Sequence, residues 1–216
     1  MSNGNGFGRS VNGHEVVFEQ EFLRERSQRI VYLTPPHAPS TVTTISPNGS
    51  VNIGSFEQTM VCSNWPPVII LAISPKSDTL HNLVDTGECV IGFAYPEYIQ
   101  QVYDAGVRLP RGESELPYLK GFTLAPSVTV APPRIEQCWF SGEGRVAWMQ
   151  EAGDHTACGV EIKRIVFDRR FWSDNKVDRR VGLPALYYAT SGHFFQSGEW
   201  QEVDESDSVK ALGHAG

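Results

Sequence analysis

The segment Pro75-Lys76-Ser77-Asp78-Thr79-Leu80-His81-Asn82 gathers an ammonium, two hydroxyls, a carboxylate, an imidazole and an amide directly after the apolar run Val68–Ser74. A short apolar run of this kind reads as a strand buried on both faces. Ser77-Asp78, followed by Leu80, Leu83 and Val84 at helical spacing, reads as the start of a helix that Gly87 stops. The first turn of a helix leaves N–H groups unpaired and carries a partial positive charge, and together these attract a phosphate. The hydroxyls of Ser77 and Thr79 and the Lys76 ammonium would add donors. The same spacing suits a helix that Ser77 or Asp78 merely caps, so these residues alone leave both roles open.

Other chemistry-bearing residues are sparser. His155 follows Asp154 on a Gly-Asp-His run, where the carboxylate would orient the imidazole and raise its basicity. A Ser/His/Asp hydrolase built from Ser63 or Ser77 with His155 and Asp154 lacks a Gly-x-Ser-x-Gly elbow, and adjacent Asp and His residues point apart. Cys62, Cys89, Cys138 and Cys158 have no metal-knuckle spacing, and the histidines form no zinc pattern. The last three cysteines sit in apolar, β-rich contexts and read as buried free thiols. No Gly-x-Gly-x-x-Gly run marks a dinucleotide fold, so any NAD(P)H must bind without one.

The elements that must position these residues are mostly strands. Thr41–Ile45 and Val51–Gly54 flank the turn Pro47-Asn48-Gly49-Ser50 and predict a hairpin. Further strands are predicted over residues 29–33, 68–74, 88–95, 122–130, 135–140, 144–149 and 158–167. Short helices are predicted at 98–105 and 113–119, flanking a Gly/Pro-punctuated stretch, 106–121, that would cover one face of a barrel. Residues 1–14 read as a flexible lead and 204–216 as a flexible tail, leaving 15–203 for one domain. The chain has 216 residues, 40% of them hydrophobic and 20% charged, which is ordinary for a water-soluble domain. A net charge of −7 disfavours nucleic acid. No apolar run nears the roughly 20 residues of a membrane span. The N-terminus lacks signal-peptide order, so the cytoplasm is expected.

In sequence order, several runs resemble the flavin reductase-like (flavoredoxin-like) family. They are Asn52-Ile53-Gly54-Ser55-Phe56, Trp65-Pro66-Pro67-Val68, Asp78-Thr79-Leu80-His81-Asn82 and Thr86-Gly87-Glu88. Gly112-Glu113-Ser114-Glu115 with Lys120-Gly121-Phe122, Ala125-Pro126-Ser127, Ile135-Glu136-Gln137-Cys138 and Gly153-Asp154-His155-Thr156 continue the match, which covers about residues 28–195. Leu186-Tyr187-Tyr188-Ala189 and Gly192-His193-Phe194-Phe195 are similar to the family's closing segment. The resemblance implies a mainly β fold, an FMN-binding split β-barrel with short helical insertions, working as a homodimer with flavin at the interface.

Carried over by that resemblance, Asn52, Ile53, Gly54 and Ser55 would line the isoalloxazine. Cys62, Ser63 and Asn64 would lie near the flavin edge, and Ser77, Asp78, Thr79 and Asn82 would hold the phosphate end. His155 would face the side where nicotinamide or substrate stacks. The implied activity is an NAD(P)H:flavin reductase that supplies reduced FMN or FAD to a partner monooxygenase. Alternatives are a permanently bound FMN acting on a dedicated organic substrate, and a non-enzymatic flavin-binding electron carrier. Three departures stand out: Gly54-Ser55 replaces the family's Ala-Pro, Glu57 its serine, and Ser77 its lysine, with Lys76 one place earlier. Arg134, Arg164 or an arginine of a partner subunit would then supply the cation.

Overall fold

The structure, a computed structural model, describes residues 9–11, 15–17, 35, 37–178, 182–190 and 193–196. The strand expected over residues 29–33 and the expected tail lie outside these residues. β1 (Arg9–Val11), inside the expected lead, pairs with β2 (Glu15–Val17), just beyond it, as a short hairpin.

The main strands, in chain order, are β3 (Ser40–Ile45), β4 (Val51–Phe56), β5 (Thr59–Asn64), β6 (Pro67–Ile73) and β7 (Glu88–Ala94). The two-residue strands β8 (Leu124–Ala125) and β9 (Arg134–Ile135) pair with each other. Two long strands, β10 (Cys138–Ala152) and β11 (His155–Phe167), then complete a seven-stranded antiparallel sheet of order β4-β3-β7-β10-β11-β6-β5. The edge strands β4 and β5 are neighbours in sequence, joined only by Glu57-Gln58. Laid flat, seven strands would separate those edges by about 29 Å, whereas so short a link reaches no more than about 11 Å. The sheet must therefore curl until its edges meet, which makes it a barrel. At the seam the hydroxyls of Ser40 on β3 and Thr59 on β5 are hydrogen-bonded at 2.7 Å.

The helix α1 (Asp78–Thr86) plugs the barrel. Its Leu80 and Leu83 join Val42, Leu71, Ile91 and Val160 in the interior cluster. Burying each leucine stabilises the fold by about 2 kcal/mol. Gly87 ends the helix with φ 70° and donates its N–H to the Leu83 carbonyl, a left-handed stop that glycine adopts without strain. Outside the barrel, α2 (Ile99–Asp104) brings Val102 together with Leu119, Phe122, Ile135 and Ile53 in a second core. Beyond the barrel, β12 (Trp172–Ser173) pairs with β13 (Lys176–Val177), and β14 (Leu186–Thr190) with β15 (His193–Gln196). Among the described residues, no helix is long and apolar enough to cross a membrane.

Three expected elements differ. Residues 113–119 form successive turns instead of a helix: Pro117 cannot donate within it, and the Ser114 hydroxyl accepts the Leu116 N–H at 3.3 Å. Over 122–130 only Leu124–Ala125 is strand, because Pro126 interrupts pairing and the Glu143 carboxylate takes the N–H groups of Val128 and Thr129. The two strands expected over 135–140 and 144–149 fuse into β10, whose bulge at Glu143/Gly144 absorbs the apparent turn.

Candidate functional site

The β6-to-α1 junction is built as its sequence implies. Ser77 stands at the cap position with extended backbone (φ −84°, ψ 135°), and its carbonyl accepts the N–H groups of Leu80 and His81 at 3.1 and 3.3 Å. Its hydroxyl caps nothing. No hydrogen bond among the described residues uses the N–H of Asp78 or Thr79, as the geometry of a first helical turn dictates. Lys76 is exposed beside them. The Asp78 carboxylate swings away and accepts Gly112 N–H at 2.9 Å.

Behind this turn lies a closed polar network. Asn52 donates through Nδ2 to the Thr79 hydroxyl at 2.9 Å and to Thr44 at 3.4 Å, and Asn82 donates to the same Thr44 at 3.0 Å. All four side chains are buried. Thr44 was not singled out from sequence; its signal is the β3–β4 register, which sets it opposite Asn52. On the outer side of α1, Asn52, Asp78, Asn82, Asp85, Arg111 and Glu113 contribute to a cleft of about 180 Å³. Three carboxylates against one guanidinium make that cleft repel a phosphate.

The period of two in β4 divides the predicted run Asn52–Ser55 between two faces. Asn52 and Gly54 face Thr79, while Ile53 belongs to the outer core and Ser55 lies against Gly106. The edge N–H groups of Ile53 and Ser55 donate to the Glu115 carboxylate at 3.0 Å and the Ala105 carbonyl at 3.2 Å. Burial pushes the Glu115 carboxyl above its ordinary range; the Ile53 N–H opposes that shift and nearby Asp78 adds to it.

The register also sorts the remaining predicted residues. Thr156 pairs with Ile73, so His155 falls opposite Ser74, at the start of the Pro75–Asn82 segment. Its Nδ1 is 2.8 Å from the exposed Asp154 carboxylate. Cys62, Ser63 and Asn64 lie at the other end of β6, where Asn64 pairs with Pro67. About 20 Å of strand separates them from α1 within one chain. Cys62 is exposed, whereas burial pushes the Cys89 and Cys138 thiols up to about 12 and Cys158 to about 11, which keeps those three unreactive at neutral pH. Of the arginines expected as phosphate partners, Arg164 is committed to Glu143 at 2.5 Å and Arg134 lies on β9. Among the described residues, no cluster of His, Cys, Asp and Glu could hold a metal.

Comparison with known proteins bears on this arrangement. The chain matches the flavin reductase like domain over residues 35–196. An uncharacterized protein of Aquifex aeolicus is 29% identical over 119 residues, which cover 53% of this chain and 60% of the relative. One of Archaeoglobus fulgidus is 28% identical over 151 residues, 66% of this chain and 82% of the relative. The 2-nitrobenzoate 2-nitroreductase of Pseudomonas fluorescens superimposes with a TM-score of 0.77 at 19% identity, covering 88% of this chain and 95% of that one. Nitrilotriacetate monooxygenase component B from Bacillus cereus gives 0.76 at 18%, covering 90% and 98%. Flavoredoxin of Desulfovibrio vulgaris (Miyazaki F) gives 0.71 at 20%, covering 81% and 93%. These structures share the split-barrel fold, and the chain belongs to the flavin reductase-like family.

Proposed function

We propose that this protein is an NAD(P)H:flavin reductase that binds FMN, or takes FAD as substrate, and passes reduced flavin to a partner monooxygenase in the cytoplasm. The observation that carries the reading is the open first turn of α1 in a chain of this family. The Asp78 and Thr79 N–H groups, the Ser77 hydroxyl, which makes no cap hydrogen bond, and the Lys76 ammonium fit a phosphate, while the acidic cleft on the outer side of the helix does not. Bound flavin would supply the hydride-accepting ring. Asn52, Gly54 and Ser55 would shape its bed, together with Ile53 through the backbone. His155, oriented by Asp154, would present its other nitrogen to nicotinamide or substrate.

Cys62, Ser63 and Asn64 fit this scheme as contacts at the far end of the flavin or with the flavin of a second copy. A homodimer is part of the proposal, because Met60, Val61 and Trp65 on or beside the β5 edge are 61%, 66% and 90% exposed. The similarity to a monooxygenase component B supports the partner. A permanently bound FMN with a dedicated organic substrate is the second reading. It is favoured by the 106–121 cover, which Glu115 and Asp78 fasten to β4 and α1, and by the likeness to a nitroreductase.

Absorption spectra of purified protein before and after filtration, with NADH and NADPH titrations in added FMN, test the proposal. Flavin lost on filtration but turned over supports a reductase. Flavin retained stoichiometrically with negligible turnover of free flavin selects the second reading. Protein that neither binds FMN nor oxidises NAD(P)H in its presence sinks both.

A further inference from the structure

The family resemblance implies an alanine where this chain has Gly54, and the structure supplies a reason for the glycine. A Cβ on Gly54 would lie 2.7 Å from Cε2 and 3.0 Å from Cζ of Phe56, and 2.9 Å from the Thr79 hydroxyl. The φ of Gly54 is outside the left-handed region, so the backbone does not call for glycine there; only the space does. The Phe56 ring therefore lies down along its own strand, over Gly54, with its edge next to the first turn of α1. It packs against the barrel's interior cluster and is only half-buried. A half-exposed ring pressed so closely onto a strand is an apolar wall beside the unpartnered donors of α1.

We propose that Phe56 is a positioning residue for the flavin, laid flat by Gly54, and that it sets how closely the flavin chain can approach Thr79 and the α1 first turn. The proposal rests on the flavin reading above. Restoring the family's alanine would lift the ring by the missing clearance and push it into the approach to the phosphate-binding turn. The interior cluster against which the ring packs resists its movement on that side. Gly54 and Phe56 should therefore act as a unit, and the signature of a unit is non-additivity.

The test is a cycle of Gly54→Ala, Phe56→Ala and the double variant, read by FMN fluorescence quenching, the visible circular dichroism of bound FMN, and Tm. Gly54→Ala is expected to weaken FMN at least tenfold with Phe56 present and severalfold less without it, where only the Thr79 contact remains. Phe56→Leu keeps the volume more nearly constant, leaves Gly54 intact and serves if Gly54→Ala does not fold. It should weaken FMN severalfold and change the bound-flavin dichroism while Tm stays nearly constant. An equal Gly54→Ala effect in both backgrounds overturns the proposal, as does Phe56→Leu that leaves affinity and dichroism at wild-type values. Wild-type protein that fails to bind FMN would instead refute the flavin reading, a result visible before any variant is made.

Discussion

Two polar corners of the barrel handle charge in opposite ways. At Glu143 on β10, a fully buried carboxylate receives the N–H groups of Val128 and Thr129, the Thr129 hydroxyl and the Arg164 guanidinium. At the α1 first turn, two N–H groups, a hydroxyl and an ammonium have no acceptor among the described residues. The first corner is complete, so it can only hold the fold together. The second is incomplete, and incompleteness at an accessible helix start is what a ligand requires.

Breaking the closed corner should have the largest effect. Glu143→Ala leaves two loop N–H groups and a guanidinium without their acceptor, and losing one partner of such a buried pair costs roughly 3–5 kcal/mol. For a domain of this size that lowers Tm by roughly 10 °C, with the 126–131 segment becoming sensitive to protease. Burial alone would raise the Glu143 carboxyl, but the hydrogen bonds from Thr129, Val128 and Arg164 outweigh it and hold it below its ordinary range. A depressed folded value means the contribution is present above the ordinary carboxylate value and lost as pH falls through the folded one. Glu143→Gln should therefore remove part of the wild-type protein's acid sensitivity in a Tm-against-pH series. An unchanged Tm in Glu143→Ala would show that the corner is not closed.

The open corner predicts the converse: loss of binding without loss of fold. Ser77→Asp puts a carboxylate at the cap, where it suits the helix dipole but repels a phosphate. FMN affinity should fall at least tenfold while Tm stays level or rises by a degree or two. Equal FMN affinity in Ser77→Asp and wild type would move the phosphate away from α1.

The same contrast explains how far the sequence could be read. The Pro47–Ser50 turn, the buried β6 and both ends of α1 were legible because each rests on local chemistry: a turn dipeptide, an apolar run, a cap and a left-handed glycine. The open first turn was legible for the same reason. Residues 122–130 were misread because a carboxylate distant in sequence, Glu143, takes the N–H groups of Val128 and Thr129, and 113–119 because Pro117 and the Ser114 hydroxyl break the helix locally. β5 was read only for its flavin-edge residues, since Met60, Val61 and Cys62 are all exposed on an edge and show no alternation. The split of Asn52–Ser55 between two faces needed only the strand period, but their roles had been carried over as a block.

Glu115 stands between the two corners and yields the smallest, most diagnostic effect. It is buried like Glu143, yet it receives one backbone N–H from β4 and faces Asp78 instead of an arginine. Its carboxyl is consequently raised, chiefly by burial. The folded protein therefore keeps a proton that the unfolded chain has already released. That contribution is full below the ordinary carboxylate value of 4.5 and is lost as pH climbs through the folded value. Glu115→Gln keeps an acceptor for Ile53 N–H and never ionises. Its Tm should gain on the wild type by a few degrees as pH rises above the ordinary carboxylate value of 4.5, the opposite slope to Glu143→Gln. Parallel Tm curves would mean that the carboxylate is solvated and that the 106–121 cover is not fastened to β4. A diverging pair would mean that the cover is held by a group whose charge opposes it, so the second corner is open at its lid as well as at its helix.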